Sequence, residues 1–236
     1  MEIHPIGILH SPYKQKFAIP RQPNLVPAGI GTIELLEDYS DPNCLREIGQ
    51  FSHLWLVFQF HGTAAQGWSP TVQPPRLGGQ ERVGVFASRS PFRPNSLGIS
   101  VVKYLDHQRL DNKTEIRVGE IDLLDKTPIL DIKPYIPYVD AISNAAGGYA
   151  EKKPPQKFEV LFSQETANQL SKYSQRYPQL KDLIVQILAL DPRPSWRVRD
   201  NDCKQYGMTL YDLNIKWRAE KDHIAVIGIH AAESFD

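Results

Sequence analysis

Residues 51–60, Phe51-Ser52-His53-Leu54-Trp55-Leu56-Val57-Phe58-Gln59-Phe60, decide the fold. The run is nearly continuous in apolar and aromatic side chains, which reads as a strand buried on both faces. Upstream, residues 6–9 and 29–36 are short β-rich runs bounded by Pro and Gly. Downstream, residues 82–87 and 98–105 supply two more strands. Residues 114–124 pair back on the latter across Asp111-Asn112-Lys113, a hairpin turn. The apolar phase of that strand changes from Ile116 and Val118 to Ile121 and Leu123, which predicts a bulge at Gly119. Residues 128–135 close the block. A single short helix interrupts it, with Asp41 as N-cap, Pro42 in the first turn and Gly49 as the stop. Many strands and few helices make a mainly β protein, a barrel or a sandwich.

Beyond this block the composition shifts. Residues 141–155 are small, polar and rich in Gly and Pro, and read as a linker between a first domain (1–140) and a second (156–236). The second begins with a strand (157–162) and a helical stretch after Ser163 that Pro178 divides. Leu180, Leu183, Ile184, Ile187 and Leu188 form an amphipathic stripe. Tyr211, Leu213, Ile215 and Trp217 then alternate with polar residues as a half-buried strand, with 223–229 as its hairpin partner. The second domain is a small α+β unit.

The whole chain has 236 residues, 41% of them hydrophobic and 10% aromatic, a globular composition that excludes collagen-like and disordered classes. No apolar run approaches the ~20 residues of a membrane helix, the N-terminus lacks a signal pattern, and two cysteines give no disulfide framework. The expectation is a soluble, cytoplasmic protein. Lys+Arg and Asp+Glu both number 27, so no global field draws polyanions. Residues 10–27 nevertheless carry Lys14, Lys16 and Arg21 without an acid. Residues 66–98 carry Arg76, Arg82, Arg89 and Arg93 against Glu81 alone. Such local basicity suits a bounded anion or a short nucleic-acid footprint.

Several chemistries are set aside by spacing. The histidines and cysteines match no metal-ligand pattern, and neither a G-x-S-x-G elbow nor a glycine-rich phosphate loop occurs. Three polar, Pro-rich segments remain. Residues 84–98 carry Arg89, Phe92, Arg93 and Asn95 in a loop that Pro91 and Pro94 pre-order. Residues 11–23 mix Tyr13, Lys14, Lys16 and Arg21 with prolines. Residues 125–135 place Asp131, Lys133 and Tyr135 on one strand face, either a surface ladder or the lining of a pocket.

Together with SHLW (52–55), these segments carry a resemblance. SPYKQKFAIPRQ (11–22), SHLWLVFQFH (52–61), PRLGG (75–79), GVFASRSPFRPNSLGIS (84–100) and DIKPY (131–135) resemble the TsaA-like, TrmO family of tRNA N6-threonylcarbamoyladenosine-37 methyltransferases. The resemblance is dense over residues 4–140 and weaker through DPRPSWR (191–197). It implies a closed or nearly closed β-barrel methyltransferase outside the Rossmann group, S-adenosylmethionine as methyl donor, and no metal. It also implies a homodimer and a tRNA whose anticodon loop bears threonylcarbamoyl on adenosine 37. Matched residue by residue, the implied cofactor site comprises Pro20, Arg21, Gln22, His61, Gly62, Arg89, Leu97, Ile99, Asp125, Lys126, Thr127 and Pro128. Gly62 and Lys126 stand where the family pattern has Gln and Gly.

On that reading Asp131 assists loss of the N6 proton, Lys133 and Tyr135 orient the modified base or its threonyl carboxylate, and Asn95 joins Arg93 on that carboxylate or the adenine edge. Arg93 binds the threonyl carboxylate or the adenine edge. Tyr13, Phe92 and Tyr135 are candidates for stacking, and Lys14, Lys16 and Arg76 for phosphate contacts. Two other classes compete: a non-catalytic RNA-binding barrel, and a methyltransferase acting on a small molecule. Asp191–Arg197 is expected either to be a rigid connector or to close over the site.

Overall fold

The computed structural model describes residues 2–193 and 204–232. In chain order, the first part contains strands β1 (Gly7–His10), β2 (Ile30–Leu35) and β3 (His53–Gln59). A helical turn α1 (His61–Ala64) and two-residue strands β4 (Thr71–Val72) and β5 (Val83–Gly84) follow. Then come β6 (Leu97–Leu110), β7 (Lys113–Gly119), β8 (Thr127–Pro134) and the turn α2 (Pro137–Asp140). Six strands close a barrel in the order β1-β2-β7-β6-β3-β8, antiparallel throughout. The architecture is therefore the barrel and not the sandwich.

Alternation fills the interior. Leu9, Ile33, Leu35, Leu54, Leu56, Phe58, Val102, Ile116, Val118 and Ile129 are all buried. β3 is apolar on both sides, but only Leu54, Leu56 and Phe58 are buried; Trp55 and Val57 on the outer wall are half-exposed. The expected burial of both faces is thus corrected: this chain covers one face only.

Other expectations shift by small amounts. The 42–49 helix is replaced by 3-10 turns at Pro42–Leu45 and Ile48–Gln50, because Glu47 takes the left-handed conformation (φ 67°) between them. Asp41 still caps the first turn, accepting from the Asn43 N–H at 2.8 Å. The bulge falls on Leu105 of β6, where the register jumps from Tyr104 to Asp106, and Leu105 packs over Gly119. The phase change itself is made by Glu120, at φ 61°. Of residues 82–87, only β5 is strand; Val85–Ala87 is a 3-10 turn. Asp111 and Asn112, both with positive φ, form the β6–β7 hairpin turn as anticipated.

The second part is a four-stranded sheet, ordered β10-β11-β12-β9, from β9 (Glu159–Phe162), β10 (Gln205–Leu210), β11 (Leu213–Ala219) and β12 (His223–Ala231). β10 was not legible in advance. Helices α3 (Gln164–Tyr173) and α4 (Leu180–Ala189) cover one face; Ser163 caps α3 by accepting from Thr166 N–H. The apolar stripe of α4 and Ile215, Trp217, Ile224 and Val226 belong to a core continuous with that of the barrel.

The join explains one misreading. Tyr13 bridges to Leu210, and the Tyr211 N–H donates to the Pro12 carbonyl at 2.8 Å. Tyr13 is fully buried there, so it is a core residue and not a stacking platform. Its hydroxyl lies over Gly29, where an added Cβ would come within 2.2 Å of it.

Candidate functional site

The antiparallel order of the barrel gathers three connections at one end. β1, β3 and β7 finish there and β2, β6 and β8 begin there, so residues 11–29, 60–96 and 120–126 form one mouth. Every implied cofactor-binding residue lies in these connections or in the first residues of β6 and β8. The bonds between loops are specific. Arg89 Nη1 donates to Gln22 Oε1 at 2.6 Å, tying the 84–96 loop to the PRQ segment. The Phe60 N–H donates to the Ser96 carbonyl at 2.8 Å, bringing His61 beside the same loop. Gly62 lies against the Leu124 side chain, and the Asp125 N–H donates to the Tyr13 carbonyl at 2.9 Å. Thr127 Oγ1 donates to the Leu124 carbonyl at 2.7 Å, closing a turn whose corner, Lys126, has φ 61°. A left-handed corner favours glycine, which accounts for the family pattern there and places the Lys126 side chain outward, exposed.

Pro20 is buried and Arg21 exposed at the rim, where partial burial lowers its pKa. Arg21 Nη2 reaches the Arg193 carbonyl at 3.5 Å. Arg193 itself is held by Asp191, Nε to Oδ1 at 2.8 Å, in a buried pair. The described end of the DPRPSWR segment thus packs beside the PRQ loop; Pro194, Ser195, Trp196 and Arg197 lie outside the described residues.

Sequence reasoning missed Asp122. Its Oδ1 accepts from Ser100 Oγ at 2.7 Å. Burial pushes its carboxyl up to about 6, against the Ser100 hydrogen bond and the positive charge of Arg89. An acid between two fully apolar, buried neighbours, Ile121 and Leu123, was the available signal. Arg89, Gln22, Asp122 and Ser100 therefore form a polar cluster at the mouth.

Other expected contacts are corrected. Lys14 is spent on Asp125, Nζ to Oδ2 at 2.5 Å, and does not project as a free phosphate ligand. Arg93 Nη1 donates to the Val85 and Ser88 carbonyls at 3.1 and 2.8 Å and braces its own loop. Arg76 donates to the Lys152 carbonyl. Asn95 and Lys16 are exposed, and Phe92 is half-buried; the more open aromatic of that loop is Phe86, at 77% exposure.

Asp131, Lys133 and Tyr135 do share a face, but it is the outer barrel wall. They stand opposite Val57, Trp55 and His53, and the Tyr135 ring is 5.9 Å from that of Trp55. Asp131 and Lys133 lie 3.6 Å apart as an exposed pair. At about 3.3 Å per residue, Tyr135 is roughly 26 Å along β8 from Thr127, at the far end from the mouth. Tyr135 is thus remote from the mouth within one chain, whereas Asp131, opposite Val57, lies on the wall that Ile99 shares. Leu97 and Ile99 begin β6 at the mouth, and Ile99 opens onto this wall with 56% exposure.

A family model for the tRNA-methyltransferase O N-terminal domain matches residues 8–141, and one for the TrmO C-terminal domain matches residues 155–232. The chain belongs to the tRNA-methyltransferase O family. It is 44% identical over 213 residues to the tRNA (adenine(37)-N6)-methyltransferase of Escherichia coli K12, covering 90% of this chain and 91% of that one. It is 41% identical over 229 residues to RcsF of Pseudomonas aeruginosa, provisionally named an S-adenosylmethionine-dependent methyltransferase, covering 96% of each. The crystal structure of TrmO from Pseudomonas aeruginosa superposes with a TM-score of 0.79 at 36% identity, over 98% of this chain and 99% of that one. Among the described residues no helix is long and apolar enough to cross a membrane, and no cluster of ligand side chains suits a metal ion.

Proposed function

We propose that this protein, an S-adenosylmethionine-dependent tRNA methyltransferase by family, methylates N6 of threonylcarbamoyladenosine at position 37. The observation that carries the reading is the convergence of Gln22, Arg89, Asp122 and residues 124–127 at one mouth. Their chemistry fits the donor: guanidinium groups for its carboxylate, a carboxylate beside a sulfonium, and backbone amides for its purine edge.

The donor supplies an electrophilic methyl group, and the displacement needs neither metal nor covalent intermediate. The protein's task is positioning and proton removal. N6 of the modified base bears a carbonyl, so its lone pair is weak and loss of the proton helps. Asp122, titrating at about 6, is ionised at neutral pH and fit to accept that proton, with Ser100 fixing its orientation. An anticodon-loop base is already unpaired, so Phe86 or Phe92 can receive it at small unstacking cost. Lys16 and Asn95, both exposed at this end, are placed for the flanking backbone and base edge.

The outer wall supports a homodimer. Trp55, Val57, Ile99 and Val101 lie on neighbouring strands of that wall, and Tyr138, Val139 and Ile142 are 88, 58 and 72% exposed just beyond β8. A second copy is the fitting cover for such an apolar face. Asp131, Lys133 and Tyr135 then act on the partner's site. We keep the division at 141–155, between barrel and second sheet, as part of this reading.

Incubation with labelled S-adenosylmethionine and tRNA carrying or lacking threonylcarbamoyl tests it. Label only in the modified tRNA is expected. Equal label in both removes the substrate assignment, and label in neither removes the activity.

A further inference from the structure

The solvent face of the second sheet holds a cavity, part polar and part apolar, that the methyl-transfer site does not use. Strand register places Gly207, Lys216 and Gly228 in one row across β10, β11 and β12, so Lys216 stands between two residues without side chains. The next row is Thr209, Asn214 and His230. A Cβ built on Gly228 would lie 2.7 Å from His230 Nε2, and one on Gly207 would lie 3.3 Å from Asn214 Oδ1. The imidazole and the amide therefore lean into the space the glycines leave, one on each side of Lys216.

Gly207, Thr209, Asn214, Lys216 and His230, with Gln15, line a half-open cavity of about 390 Å³. Among the described residues the lining carries no carboxylate and Lys216 forms no ion pair. The side chains offer an ammonium, two amides, a hydroxyl and an imidazole, a set of hydrogen-bond donors around one positive charge. That chemistry suits phosphate oxygens, and a glycine-flanked floor lets a polymer backbone approach closely. Gln15 belongs to the same connection as Lys16 and the Pro20-Arg21-Gln22 segment, so the cavity adjoins the loops of the mouth.

We propose that this cavity binds a phosphodiester of the tRNA backbone, with Lys216 as its cation and Asn214, Thr209 and His230 as donors. The proposal rests on the tRNA reading above and extends the RNA footprint onto the second sheet.

The test is equilibrium binding of threonylcarbamoyl-modified tRNA over a range of salt, with calorimetry of S-adenosylmethionine on the same samples. Lys216→Ala should weaken tRNA binding several-fold and reduce the log–log salt slope by about 0.7–0.9. Lys216→Arg should restore the slope, and donor affinity should stay at the wild-type value in both. A wild-type slope in Lys216→Ala overturns the proposal. Should that variant fail to fold, Asn214→Asp serves instead: an added carboxylate must weaken tRNA binding, and unchanged binding overturns the assignment. If the wild type methylates modified tRNA while the Lys216→Ala slope is unchanged, only the cavity assignment falls. If the wild type binds tRNA without methylating it, the methyl-transfer reading falls and the slope alone judges the cavity.

Discussion

Arg89 Nη1 lies 2.6 Å from Gln22 Oε1, a hydrogen bond that joins loops 67 residues apart in the chain. Arg89 is exposed, so its removal leaves no buried group stranded. Arg89→Ala should therefore lower donor affinity by about tenfold or more while the melting temperature moves little; a charged hydrogen bond contributes about 1.5–3 kcal/mol. Gln22→Ala should give a smaller loss in the same calorimetric titration. Wild-type affinity in both variants would remove this bond from the site.

Asp122 predicts a pH-dependent stability. Its folded-state pKa, about 6, stands above the ordinary aspartate value of 3.8 because the carboxyl is buried. The folded state therefore holds the proton more tightly, so stability falls as pH rises from about 4 to 6 and is level beyond. Asp122→Asn keeps an acceptor for Ser100 and escapes that loss. Thermal melts should show the variant more stable than wild type by about 1–3 kcal/mol at pH 8, with the difference vanishing below about pH 4. A constant difference across that range would refute the assignment.

Tyr13 supplies a second stability test. Its hydroxyl is buried without a hydrogen-bond partner among the described residues. Tyr13→Phe should raise stability by about 1 kcal/mol and leave tRNA affinity unchanged, opposite to what a stacking residue would do. Gly29→Ala should cost about 1–3 kcal/mol, because its methyl collides with that hydroxyl, and Tyr13→Phe should recover part of the loss.

The outer wall is tested by mass. Trp55→Glu places a charge among Val57, Val101 and Tyr135, and light scattering should then report a monomer where the wild type is a dimer. A monomeric wild type would remove the wall as an interface and with it any role for Asp131 across subunits.

Much of the barrel was legible because alternation and turn chemistry agree. The pairing across Asp111-Asn112 and the stripe on α4 are where spacing placed them. What failed had physical causes. Both faces of β3 are apolar, but sequence does not say whether a face is covered by its own chain. Tyr13 sits among prolines and polar residues, yet its bridge to Leu210 buries it, and Lys14, though exposed, is held by Asp125. β10 escaped notice because Gly207 interrupts a short, weakly alternating run. Asp122 carries a local signal, an acid between Ile121 and Leu123, but its burial and its bond to Ser100 come only from the fold.

The barrel closes when β8 pairs with β1, its last strand against its first. During synthesis, residues 7–9 must wait for residues 127–129 to leave the ribosome before they find that neighbour. Until then the PRQ segment, Arg89 and Asp122 hang on an open sheet with no fixed spacing. Such long-range closure folds slowly. In the proposed reading, a product that ends before residues 127–129 lacks the seam that holds these loops in one mouth.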